Sequence, residues 1–319
     1  MLVDHLGRKI EYLRISVTDR CNFKCIYCYT NQNWKWLPHE EILRFEEIEK
    51  IARVFAKLGG KRIRLTGGEP LLRRNIETLI EKLSQIPGII DLSLTTNGFF
   101  LEELGEKLKK AGLKRINISL DTLNKEKFEK ITGISAFEKV FKSIDLALDL
   151  GFDPVKINTV VIKGFNEDEI LELAKLTLEK PIEVRFIEFM PIGKNSLWDE
   201  KHIITVGEIK AILERFSELI PDFSFGGGPA KIFKWKFAKG KIGLISPISE
   251  HFCHKCNRLR ITTDGRLRPC LFSDNEINLK PILREGKGTL EEAFFLALKL
   301  KPAKHNLNFT LRPMRAIGG

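Results

Sequence analysis

No apolar run in the 319-residue sequence reaches the ~20 residues that a membrane-spanning helix requires, and residues 1–12 are too mixed and polar for a secretory leader. The expectation is a cytoplasmic protein with no membrane partner, whose thiols stay reduced. Internal repeats and low-complexity tracts are absent as well. So is the Gly-x-Gly-x-x-Gly fingerprint that would follow the first strand of a dinucleotide-binding sheet. Cysteine is scarce, with six in all. At 43% hydrophobic residues the chain can bury a full core without a disulfide framework. The six cysteines therefore read as metal ligands or nucleophiles before they read as disulfides.

Acidic residues are outnumbered. Lys plus Arg less Asp plus Glu is 53 − 42 = +11. That surplus favours anionic partners: nucleic acid, an acidic protein or a polyphosphate nucleotide. Most of the lysines alternate with glutamates, as in 102–110, and read as a solvated surface of the thermophile kind. A nucleic-acid binder should concentrate its charge in a stripe with interleaved aromatics. Here the charge is dispersed, so no DNA or RNA partner is expected.

From residue 10 to about 190, two kinds of segment alternate. Strand candidates fall at 12–18, 62–66, 91–96, 115–120, 154–162 and 182–189, with helical patterns at 40–58, 75–85, 101–111, 136–150 and 167–178. This alternation predicts a parallel sheet covered by helices, and its even cadence favours a barrel. A parallel strand buried on both faces should be apolar throughout. These are not. Leu13 and Ile15 interleave with Arg14 and Ser16, Ile63 and Leu65 with Arg64 and Thr66, and Leu92 and Leu94 with Ser93 and Thr95. Ile116 and Ile118 alternate with Asn117 and Ser119, and Ile157 with Lys156 and Asn158. If the apolar face packs on helices, the other face lines a hollow, wet, basic interior suited to a large anionic ligand. Past Ile220 the rhythm breaks. Residues 225–229 hold three glycines and a proline, a linker composition. Two β-like segments at 231–238 and 241–245, a cysteine-rich region and a helical pattern at 290–300 follow. The expected domains are 1–223, a barrel, and 224–319, a C-terminal extension.

Cys21-x-x-x-Cys25-x-x-Cys28 follows the first strand, at the end where barrel active sites collect. Three thiolates so spaced can hold three irons of a cubane and leave the fourth without a protein ligand. The amino and carboxylate groups of S-adenosylmethionine could occupy that iron, and an electron from the cluster would release a 5′-deoxyadenosyl radical. A zinc site would ordinarily supply four ligands at CxxC-type spacing. The motif resembles the hallmark of the radical S-adenosylmethionine family. Tyr27 stands at that family's usual aromatic position, and Gly67-Gly68-Glu69-Pro70 resembles its GGEP segment, whose backbone and carboxylate meet the methionine ammonium.

A second set, Cys253-x-x-Cys256 and then Cys270, flanks Arg258-Leu259-Arg260. A zinc knuckle or redox pair would read similarly, and His251 or His254 could complete a Cys₃His zinc site. Another cubane with an open iron could instead bind a heteroatom of the substrate. Two apart on a strand, Arg258 and Arg260 would face the same way and could fork onto a phosphate or a base carbonyl. The order of motifs resembles the GTP 3′,8-cyclase (MoaA) family over nearly the whole chain: LRISVTDRCN at 13–22, LTGGEPL at 65–71, LTTNG at 94–98, SLDT at 119–122, VKINTVV at 155–161, VRFIEFMPIG at 184–193, CxxCNRLR at 253–260 and the closing Gly318-Gly319. One departure is Tyr29-Thr30, where the family commonly has Met-Pro.

The resemblance implies an α/β fold, an incomplete parallel (β/α) barrel with a C-terminal cluster-binding extension. It implies two [4Fe-4S] clusters, on Cys21, Cys25 and Cys28 and on Cys253, Cys256 and Cys270, with S-adenosylmethionine held by Tyr27, Gly68, Ser119 and Met190. Substrate GTP would meet Arg14, Arg64, Thr95, Lys156, Arg258, Leu259 and Arg260, with Arg14, Arg258 and Arg260 acting in catalysis. Arg14, Arg64, Thr95, Ser119 and Lys156 are also among the inward-facing residues found by alternation alone. The adenosyl radical would take hydrogen from ribose C3′, the carbon radical would attack guanine C8, and the second cluster would return an electron. The product, (8S)-3′,8-cyclo-7,8-dihydroguanosine 5′-triphosphate, opens molybdopterin biosynthesis. Further implied partners are a flavodoxin-, ferredoxin- or reductase-type electron donor, a downstream cyclic pyranopterin monophosphate synthase and a second copy of the chain. The rivals are a peptide-modifying radical enzyme with an auxiliary cluster and a zinc-dependent nucleic-acid-binding protein.

Overall fold

The strand candidates between residues 12 and 189 become β1 (Tyr12–Ser16), β2 (Arg62–Thr66), β3 (Asp91–Thr96), β4 (Arg115–Ser119), β5 (Val155–Val161) and β6 (Glu183–Glu188). All are parallel and paired in chain order. The computed structural model describes residues 1–28, 35–193, 198–223, 228–307 and 309–318. Between the strands run α1 (Phe45–Lys57), α2 (Ile76–Ser84), α3 (Leu101–Lys110), α4 (Lys125–Thr132), α5 (Phe137–Asp149) and α6 (Ile170–Glu179). Each helix turns an apolar stripe inward; α1 buries Ile48, Ile51, Ala52 and Phe55 at three- and four-residue spacing. Those stripes meet the apolar strand face, where Leu13, Ile15, Ile63, Leu65, Leu94, Ile116, Ile118 and Ile157 are fully buried. The helix α4 was not foreseen. Asn124 caps its start by accepting a hydrogen bond from the Lys127 amide, and Gly133, at φ 71°, ends it.

The remainder of the chain extends the same sheet. After α7 (Val206–Glu214) come β7 (Ile220–Asp222), β8 (Lys231–Lys234) and β9 (Lys241–Ile245), and β9 pairs parallel with β6. Residues 246–257 then carry the chain to the opposite edge, where β10 (Arg258–Ile261) pairs parallel with β1. Next come β11 (Arg266–Arg268), β12 (Ile277–Asn278), α8 (Lys280–Glu285), α9 (Leu290–Lys299) and α10 (Met314–Ile317). The full order is β12-β11-β10-β1-β2-β3-β4-β5-β6-β9-β8-β7. Eight parallel strands thus curve around a polar interior, and among the described residues the sheet does not close. This is the incomplete barrel expected. The boundary expected at 224 lies outside the described residues, as do Tyr29, Thr30 and Gly319, and the sheet is continuous on either side of it. No described helix is long and apolar enough to cross a membrane.

Candidate active site

Topology puts the two cysteine sets at opposite ends of the barrel. Cys21, Cys25 and Cys28 follow β1, at the C-terminal ends of the parallel strands. Cys253 and Cys256 precede β10, which runs parallel to β1, so they lie at the other end. The strand β11 runs back antiparallel and returns Cys270 to that same end. All six carry free thiols, and all six line one cavity of about 300 Å³.

The loop bearing the first set is held from three sides. Lys24 and Ile26 amides donate to the carbonyls of Thr132 and Ile131 at the end of α4. The Tyr27 hydroxyl donates to Asp121 Oδ2, just beyond β4. The third hold comes from the GGEP segment: Gly68 N donates to Thr18 O and Glu69 N to Arg20 O. A Cβ on Gly68 would lie 2.3 Å from Arg20 O, so the glycine admits the neighbouring loop as well as facing the cavity. Glu69 itself is fully buried and does not line the cavity. Its carboxylate accepts from Leu71 N, Asn97 N and the Thr96 hydroxyl, and burial raises it to about 7. Burial likewise pushes the Cys21 thiol up to about 12, with Glu69 adding to it, and raises Cys25 and Cys28. Three crowded thiols that resist ionisation fit a metal cluster, whose positive charge would take the place of their protons.

Midway between the sets, register does the positioning. Arg14 pairs with Arg260 on one side and Arg64 on the other, and Arg64 with Ser93. Adjacent strands lie ~4.8 Å apart, so three guanidinium groups share one row of the lumen. Burial lowers all three, and neighbouring cations add to it: Arg260 and Arg64 act on Arg14, which falls well below its ordinary value, Arg185 and Arg115 on Arg64, which falls less, and Arg258 and Arg268 on Arg260, which falls to about 9. A second row runs Ser119, Asn158, Arg185 and Gly243. A Cβ on Gly243 would lie 3.0 Å from Arg185 Cγ, so the missing side chain leaves room for that arginine in the lumen. Buried cations driven together in this way call for an anion of several charges.

Most of the residues expected at the site face the cavity: Arg14, Tyr27, Arg64, Gly68, Thr95, Ser119, Met190, Arg258, Arg260 and the six cysteines. Two do not. Leu259 packs fully buried in the hydrophobic core, because one step along a strand turns its side chain to the opposite face from Arg258 and Arg260. Lys156 is 1% exposed and does not line the cavity; it donates to Glu183 Oε2 at 2.8 Å, while Glu183 Oε1 accepts from Arg185 Nε. It therefore reaches the lumen through Glu183 and Arg185.

Several residues were missed. Arg185 and Asp121 line the cavity, and both lay in segments already singled out for their motifs, where strand alternation would have flagged Arg185. The His305 ring also lines it, stacked on Phe272 at 4.2 Å. Its ligand nitrogen, that of His251 and the Cys253 sulfur lie within 4.8 Å of one another, whereas His254 is exposed. No local signal marks His305; it arrives from the far end of the chain. At Cys256 burial raises the thiol, but Arg258 and Lys301 outweigh it and bring it down to about 6, so this sulfur is poised as a thiolate ligand.

The C-terminal segment closes over the first set. Met314 lines the cavity, and the Arg260 guanidinium donates to Gly318 O.

Residues 15–177 match the Radical SAM superfamily and residues 182–307 match Molybdenum Cofactor Synthesis C. The chain is 50% identical over 308 residues to a GTP 3′,8-cyclase of Pelotomaculum thermopropionicum, covering 95% of each. It is 48% identical over 323 residues to a GTP 3′,8-cyclase of Moorella thermoacetica, covering 99% of each. A solved structure of Streptococcus suis SuiB bound to S-adenosylmethionine is similar at TM-score 0.65, over 91% of this chain and 68% of that one; at 16% identity the likeness is one of fold.

Proposed function

This chain belongs to the radical S-adenosylmethionine superfamily and, within it, to the GTP 3′,8-cyclases, and we propose that its chemistry runs in the cavity between the two cysteine sets. It cyclises GTP to (8S)-3′,8-cyclo-7,8-dihydroguanosine 5′-triphosphate, the first step of molybdopterin biosynthesis. Its cofactors include S-adenosylmethionine and a [4Fe-4S] cluster. The observation that carries the siting is the arginine row: Arg260, Arg14 and Arg64 stand side by side between two thiol triads, Arg260 and Arg64 buried and Arg14 half-buried.

Cys21, Cys25 and Cys28 would hold that cluster, which would supply the electron for reductive cleavage of S-adenosylmethionine to the 5′-deoxyadenosyl radical. Tyr27, locked to Asp121, presents its ring to the adenine, with Gly68, Ser119 and Met190 forming the rest of that end. Cys253, Cys256 and Cys270 would hold a second [4Fe-4S] cluster, which would offer an open iron to the guanine. Arg14, Arg64 and Arg260 neutralise the triphosphate, with Thr95 beside them and Arg258 at the second set. Lys156 holds Glu183, which aims Arg185 at the same charge. The residues thus orient ribose C3′ toward one end and exclude water, and positioning of this kind is a large part of a radical enzyme's task.

Family membership also supports a flavodoxin-, ferredoxin- or reductase-type electron donor, a cyclic pyranopterin monophosphate synthase that consumes the product, a homodimer and a cytoplasmic location. The division at residue 224 is retained as the point where the extension carrying the second set begins. Anaerobic incubation with GTP, S-adenosylmethionine and a reductant, followed by mass analysis, tests the reading. The expected result is an isomer of GTP formed together with 5′-deoxyadenosine; deoxyadenosine formed equally without GTP would count against it.

A further inference from the structure

Lys301 stands one residue past the cap of α9 and is 2% exposed. Its ammonium donates to Arg258 O at 2.8 Å, to Pro269 O at 2.8 Å and toward Cys256 Sγ at 3.5 Å. An ammonium has three protons, and here each has an acceptor. The acceptors lie on the two segments that bring in the second set's ligands. Cys256 is one of them, Arg258 follows it by two residues, and Pro269 immediately precedes Cys270. One buried cation therefore fixes the spacing of two cysteines that are fourteen positions apart in sequence.

The segment around Lys301 is built for this. Arg8, ion-paired with Asp4 at 2.6 Å, donates to Cys253 O at 2.8 Å, to Pro302 O at 2.9 Å and to Ala303 O at 3.4 Å. The third cysteine of the set is thereby tied to the two residues after Lys301. All three ligand segments converge on one turn of chain, 301–303.

We propose that Lys301 is a positioning residue of the second cluster: it sets the spacing of Cys256 and Cys270, and its charge and N–H···S contact raise the cluster's reduction potential. The inference rests on the reading that the second set holds a [4Fe-4S] cluster. Reduction adds negative charge to a cluster, and a cationic donor at a ligand sulfur stabilises that charge, more strongly where water is excluded. The consequence is an auxiliary cluster that is easier to reduce than one without the lysine.

The test uses full-length protein carrying Cys21→Ala, Cys25→Ala and Cys28→Ala, so that only the second set loads. Iron and sulfide are reconstituted anaerobically, iron is counted, and the potential is read from an EPR-monitored redox titration. With Lys301 intact, about four irons per chain are expected. Lys301→Arg should keep the iron and stay close to the parent potential. Lys301→Gln, which can donate but carries no charge, should shift the potential down, and Lys301→Met further down. Loss of iron from the Gln and Met variants with retention in Arg would equally support the positioning role. An unchanged potential in a fully loaded Gln or Met variant overturns the proposal, and so does loss of iron from all three. If the parent with Lys301 intact binds no iron, the second-cluster reading itself has failed, and the result is distinct from either.

Discussion

The Arg260 guanidinium donates to the carbonyl of Gly318, joining β10, the outermost parallel strand beside β1, to the C-terminal segment. Gly318 sits at φ +89°, and a Cβ there would lie 2.5 Å from Thr66 Oγ1 and 3.2 Å from Ser16 Cβ. Only glycine fits both the backbone and the space. Gly318→Ala should therefore expel the segment from the mouth of the cavity, at a strain of about 1–3 kcal/mol. Limited proteolysis near the C-terminus should quicken, and turnover of GTP should fall, with iron content unchanged.

Arg14 occupies the centre of the arginine row, flanked by Arg260 and Arg64. Arg14→Ala removes one charge-assisted contact to the triphosphate, worth about 1.5–3 kcal/mol, a loss of roughly 10- to 150-fold in kcat/KM for GTP. Cleavage of S-adenosylmethionine in the absence of GTP should persist. Steady-state kinetics over a range of GTP concentrations checks both.

Lys156 makes the pH dependence of stability legible. Burial first, then repulsion from Arg185, lowers its ammonium to about 7 against the pull of Glu183. In the unfolded chain the same group keeps its proton to about pH 10. Between those values the unfolded state binds more protons, so this group makes the folded state more stable as pH rises from about 7 toward 10. Below about 7 both states are protonated and the contribution is flat. Lys156→Met should remove that rise, while Glu183 keeps its ion pair with Arg185. Urea melts at pH 7 and pH 9 on both proteins measure the difference.

Metal content separates the two thiol triads. Reconstituted protein should hold about eight irons, and protein with Cys253, Cys256 and Cys270 all replaced by Ser about four. A stoichiometric zinc bound in place of half the iron would assign His251, Cys253 and His305 to a mononuclear site instead.

The barrel was legible because its interior is polar. Strands such as β2, with Ile63 and Leu65 against helices and Arg64 in the lumen, carry a period of two that an aliphatic-filled barrel would have hidden. The same period already set Leu259 apart from Arg258 and Arg260. Motif spacing located both thiol triads and most of the lining. Pairing between distant segments could not be read: nothing near Tyr12 announces Arg258 as its neighbour. Lys301 was invisible for the same reason, since its acceptors come from positions 256, 258 and 269. Lys156 looked like a ligand contact because alternation gives the direction of a side chain and says nothing of what already occupies that direction.

The pairing of β1 with β10 also imposes an order on synthesis. Strand β1 is made more than two hundred residues before β10, so one of its edges waits that long for its partner. Until then that edge exposes unpaired amides and carbonyls, and a nascent chain must keep them from pairing elsewhere. The second triad follows the first by more than two hundred residues, so the thiols at the two ends of the cavity become available in sequence rather than together.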